Sequence, residues 1–113
     1  MLTPPPPDAL SFVSRREGMR SGFNYWNVEL TGSHAADCAM GRALAAEYLA
    51  FIGAYPTNDN ATLLGCIVRD MIDQARDGGS RWSGAHLGFL SGINQIAMAA
   101  AARSQPVMPP PSA

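Results

Sequence analysis

Lysine is absent from this chain of 113 residues, and charge of either sign is scarce: eight arginines face nine carboxylates, 15% of the sequence, for a formal net charge of −1. With no basic excess to condense along a polyanion, a general nucleic-acid coat is excluded. The all-arginine cation set reads as a G and C bias of the coding DNA. Cysteine is nearly missing too. Cys38 and Cys66 fall inside helical patterns rather than in a spaced framework, which excludes a disulfide scaffold and points to a reducing, cytoplasmic setting. The opening Met-Leu-Thr and four prolines have neither the basic n-region nor the apolar h-region of a secretory leader. No repeat recurs along the chain. Ser83–Ala102 carries no charge and is about as long as a bilayer span. His86, Asn94 and Gln95 lie inside it among many small residues, and polar groups at mid-bilayer are expensive, so a membrane partner is not expected.

Apolar residues make up 47% of the sequence, enough to exclude disorder, and the length suits one core. Pro4–Pro7 and Pro109–Pro111 mark proline-rich tails, 1–7 and 104–113, that favour extended backbone outside the core. Between them, Asp8 offers an N-cap to a short helix running to about Arg20, although Leu10, Phe12, Val13 and Met19 make a poor stripe. Ser21–Ser33 has strand alternation at Trp26, Val28 and Leu30 and no evident partner segment. It reads as an aromatic arm packed on helices, with pairing to another chain's copy as the alternative.

Ser33 caps the strongest helical pattern, which runs to Tyr55 and stops at Pro56. Asp37, Arg42 and Glu47 are its charges; it is apolar almost all round, which predicts burial on several sides. A third helix over about 59–77 has a clean stripe of Leu63, Leu64, Ile67, Val68, Met71, Ile72 and Ala75. Opposite lie Arg69, Asp70, Asp73, Arg76 and Asp77, spaced for surface ion pairs. Gly78-Gly79 ends it, and Ser80 is placed to cap a fourth helix from about Arg81 to Ala102. A joint that short predicts antiparallel neighbours.

Reactive constellations are thin. His34 and Cys38 share a helix face and, with Cys66 and His86, compose a conceivable Cys2His2 zinc set. Cys66 and His86 each stand alone on their helices, however, and His86 sits among Trp82, Phe89, Leu90 and Ile93 as a core histidine would. Cys66 lies on the polar half of its helix, so something is expected to cover that side; flanking Asp70 and Asp73 argue against a nucleophile. No nucleophile elbow, phosphate loop or catalytic carboxylate pair is present. Arg15, Arg16 and Arg20 are too few for a basic stripe.

Gly84, Gly88 and Gly92 form the last pattern, four apart, with Ser91, Gln95 and Ala99 on the same side. Each glycine costs a helix about 1 kcal/mol relative to alanine, and close approach of another helix is the available compensation. That helix is either the chain's own alanine-rich central one or a second copy's.

The expected fold is all-α: a small bundle of three main helices with a short N-terminal helix and an extended aromatic arm, spanning 8–103 as one domain. The expected role is non-enzymatic. The chain would be a small interaction protein, such as an adaptor, an anti-activator or a phage- or plasmid-type inhibitor, that binds another protein or homodimerises without a cofactor. Phe23, Tyr25, Trp26, Gly84, Gly88, Ser91, Gly92 and Gln95 are the expected contact residues, since aromatic anchors dominate interface energies. The alternatives are a ligand- or metal-sensing module built on His34 and Cys38, with Cys66 and His86 as further ligands, and a small enzyme.

Overall fold

A turn, and not a helix, opens the folded chain. The computed structural model describes residues 5–18, 22–79 and 81–105. Pro7–Ala9 form one 3-10 turn, and Asp8 pairs with Arg15 at 3.0 Å instead of capping a helix. Leu10, Phe12 and Val13 enter the core. Ser14–Arg15 (β1) then pairs antiparallel with Phe23–Asn24 (β2), Ser14 opposite Asn24 and Arg15 opposite Phe23. The helix expected over 8–20 is therefore corrected to a turn and a short hairpin. Its apolar residues never formed a helical stripe, whereas an irregular chain buries three of them within four positions. Met19, Arg20 and Ser21 lie outside the described residues.

Four helices follow: His34–Ala54 (α1), Asn58–Ala61 (α2), Leu63–Asp77 (α3) and Gly84–Ser104 (α4). Ser33 caps α1 by accepting the amide of Ala36, and the chain leaves α1 at Tyr55 and Pro56. The helix expected as one piece over 59–77 breaks at Thr62, whose hydroxyl donates to the Asp59 carbonyl at 3.2 Å. A hydroxyl bonding back to the preceding turn competes with the helix ladder. α4 starts three residues later than Ser80 would start it. Ser83 accepts the amide of His86, and the His86 ring accepts the amide of Ser83, a reciprocal cap that fixes the first turn.

The close helix pair is α1 with α4, not α3 with α4. A side chain on Gly84 would reach within 2.6 Å of the His34 carbonyl, one on Gly88 would collide with the Cys38 carbonyl, and one on Gly92 would reach within 2.7 Å of the Ala45 Cβ. From α1, Gly41 returns the approach against Ala85 and Phe89. Both series advance together, so the two helices run parallel, and α2 and α3 supply the crossover a parallel pair requires. The glycine pattern is thus consumed within the chain. α1 itself is buried along one side only, at Asp37, Gly41, Ala45, Tyr48 and Phe51; Ala35, Ala39, Ala43, Ala46 and Ala50 are exposed.

Bulk comes from rings. Phe89 of α4 lies 5.6 Å from Phe12, 5.2 Å from Trp26 and 5.8 Å from Tyr48, centroid to centroid, in edge or tilted geometries that suit ring quadrupoles. Leu10, Leu63, Ile67 and Met71 complete this core.

Gly88→Ala is expected to destabilise the chain by about 2 kcal/mol or more, because backbone cannot yield to the added methyl as a side chain would. Gly65→Ala, where the position is open, is expected to stabilise α3 by up to about 1 kcal/mol. Urea unfolding of the two variants beside the wild type measures both signs.

Candidate functional site

The polar side of α3 is where the arm docks. Asp70, buried, accepts the Tyr25 amide at 2.7 Å through Oδ2 and the Arg69 side chain at 3.3 Å through Oδ1. One turn on, Gln74 accepts the Trp26 indole N–H at 3.2 Å and donates to the Val28 carbonyl at 3.0 Å. Two side chains thereby satisfy the groups that the arm buries with Trp26, which is 2% exposed. The expected ion pairs of Asp73 with Arg69 and Arg76 do not form among the described residues; Arg69 turns to its neighbour Asp70. At the far end of the arm, the buried Asp37 carboxylate receives the Thr31 amide at 2.9 Å and hydroxyl at 2.8 Å.

The reactive side chains are scattered by this arrangement. His34 Nε2 and Cys38 Sγ meet at 3.4 Å on the exposed start of α1. Cys66 lies on α3 in a cleft of about 390 Å³ lined by Pro5, Pro6, Pro7, Tyr25 and Leu63, so the side expected to be covered is covered by the arm and the proline segment. The Tyr25 phenol there is pushed above its ordinary value, first by burial and then by Cys66. His86 is a core residue, 1% exposed, with its ring 5.6 Å from Trp26 and 5.1 Å from Trp82. Its Nδ1 accepts a hydrogen bond, which places the proton on Nε2, and Nε2 has no partner among the described residues. Among those residues no three His, Cys, Asp or Glu side chains stand close enough to share a metal ion. The Cys2His2 alternative is corrected accordingly: His34 and Cys38 remain a pair, while Cys66 and His86 are held on other elements by the arm and the core.

The expected contact residues divide sharply. Tyr25 and Trp26 are buried, Phe23 is half-buried beside Tyr25, and Gly84, Gly88 and Gly92 face α1. Only Ser91 and Gln95 are exposed. The aromatic arm is thus core and not anchor, because a helix pair joined through glycine and alanine lacks the volume to fill its own interior. On the distal part of α4 sequence reasoning singled out Gln95 and passed over the exposed apolar residues beside it. Every residue from Asn94 to Gln105 is exposed, Ile96 at 51% and Met98 at 63%, and Arg103 is the one charge in that stretch. Its signal was available: Ile93 and Ile96 continue the stripe of Phe89 past the point where any aromatic or leucine remains to cover it. No helix of the described residues is long and apolar enough to cross a membrane. The chain matches no family model, no curated protein and no solved structure.

Asp70→Ala is expected to cost about 1–3 kcal/mol, the range for stranding a buried hydrogen-bonding group, and to free the arm, read as a red shift of Trp26 emission. The fold is also expected to weaken in acid, in two steps. Burial holds His86 below its ordinary 6.5, so the unfolded chain takes up that proton first; stability is full above about 6.5 and falls as pH drops through and below it. Thr31 holds the Asp37 carboxyl below its ordinary 3.8, so a second loss begins as pH falls through that value. In melting temperature against pH, His86→Gln is expected to flatten the first slope and Asp37→Asn the second.

Proposed function

We propose that this chain is a small non-enzymatic interaction protein, a regulator of the adaptor, anti-activator or inhibitor kind, that works in the cytoplasm by docking on another protein or on a second copy of itself. The single observation that supports this reading is the bare distal half of α4. It is helical, nearly uncharged, and leaves Ile96 and Met98 half or more in water, where burying the rest of either would release about 1–2 kcal/mol. A helix of this kind suits insertion into an apolar groove, with residues three and four apart as anchors. Ile96 and Ala100 have that spacing, and the half-buried Ile93 continues the row into the core. The aromatic arm and the glycines support the reading only indirectly, by holding α4 in place.

Ile96→Glu and Ala100→Glu are expected to leave stability within about 0.5 kcal/mol of the wild type, as exposed substitutions do, and to abolish stoichiometric capture of a specific protein from host lysate. Capture that survives both substitutions, or a wild-type chain that retains nothing, overturns docking through α4.

A further inference from the structure

The outward face of α1 repeats with a period that neither the core nor α4 requires. Ala36, Ala39, Ala43, Ala46, Ala50 and Gly53 are all exposed and follow one another at intervals of three, four, three, four and three. These are the a and d positions of an unbroken heptad repeat. Small residues alone select no partner. The flanking positions do.

With Ala43 at a and Ala46 at d, the g positions are Ala35, Arg42 and Leu49, and the e positions are Met40, Glu47 and Ala54. In a parallel pair of helices, a g residue of one chain faces the e residue five places on in the other. Ala35 then meets Met40, Arg42 meets Glu47 and Leu49 meets Ala54: apolar, ionic, apolar. In an antiparallel pair like flanks meet, and the arginine flank of each chain would face its own kind. Arg42 is exposed and has no ion pair among the described residues. Glu47 accepts the amide of Ser11 through one oxygen and its hydroxyl through the other, which leaves each oxygen a further lone pair.

We propose that α1 is the seam of a parallel homodimer, in which the alanine stripes of two copies pack together and Arg42 of each chain pairs with Glu47 of the partner subunit. Alanine and glycine let the two backbones approach closely, while Met40 and Leu49, half-buried in the single chain, close over the edges. This gives the second half of the proposed function its partner and its surface, and it rests on that reading. Arg42 also explains the choice of face: a seam centred on the groove between α1 and α4 would bury that guanidinium without a carboxylate.

Sedimentation equilibrium of the full chain is expected to show a monomer–dimer equilibrium. Ala46→Glu, at an exposed position, should abolish the dimer and keep the far-UV spectrum of the wild type; Ala50→Glu serves if that variant misfolds. Arg42→Glu and Glu47→Arg should each weaken self-association by about tenfold. Mixed together, those two variants should pair with each other as tightly as the wild type, since every g–e contact again joins opposite charges. A wild-type monomer at all concentrations, or a dimer indifferent to Ala46→Glu, overturns the proposal, and failure of the mixture to pair overturns its parallel register. A monomer that still captures a protein through Ile96 removes the seam and leaves the docking reading standing; a dimer that captures nothing does the reverse.

Discussion

The separation of α1 and α4 is set by the methyl groups that are missing from their contact. Gly41, Gly84 and Gly88 bring backbone against backbone, and each gives up about 1 kcal/mol of helix propensity to do so. Dispersion between two closely packed backbones offsets that loss, because the attraction grows steeply as the gap closes. The seam fixes direction as well as distance. Since its contacts advance in step along both helices, α1 and α4 run parallel, and a chain that must return to its starting end before α4 begins needs the crossover that α2 and α3 provide. It also fixes rotation: with Gly84 and Gly88 against α1, Ala85 and Phe89 turn into the interior.

A seam so thin leaves the interior short of volume, and the arm supplies it. Phe12 and Trp26 meet Phe89 edge-on from a segment with almost no regular structure. Such a segment brings unpaired backbone groups into the core, where each would be expensive without a partner. Asp70 and Gln74 answer them from α3, and Asp37 answers them from α1. The polar face of α3 is therefore a receptor for the arm and not a solvated surface. This also explains why Ile72, on the apolar half of the same helix, is left exposed: the helix has turned part of its polar side inward to hold the chain that completes the core.

What is left over faces water with very little charge. The outer side of α1 is alanine, which tolerates solvent at small cost, and the end of α4 carries isoleucine and methionine, which do not. The proposed docking through α4 and the proposed pairing through α1 use faces that adjoin along the groove where Arg42, Ala46 and Leu49 stand beside Ile96. Neither needs the His34–Cys38 pair, the cleft beside Cys66 or the buried imidazole of His86.

Several elements were legible in the residues. Ser33 and Pro56 bound α1, the leucine and isoleucine stripe of α3 is buried at Leu63, Ile67 and Met71, and His86 is the core histidine its neighbours implied. The spacing of Gly84, Gly88 and Gly92 announced a close helix contact, but not which helix would fill it. The hairpin of Ser14–Arg15 with Phe23–Asn24 was not legible, because two-residue strands show no period. The burial of Tyr25 and Trp26 was not legible for a related reason: an aromatic residue is equally fit for an interface and for a core, and only the arrangement of the other elements assigns it.

The bounds of α1 with its cap at Ser33, the apolar stripe of α3 and the scarcity of charge were determined by the sequence by itself, since propensity, capping and periodicity act over a few residues. The tertiary structure alone decided that α4 lies beside α1, that Asp70 and Gln74 face inward, and that Trp26 is hidden while Met98 is not. Those outcomes depend on which distant surfaces can approach most closely, a question of shape and volume that no local pattern encodes.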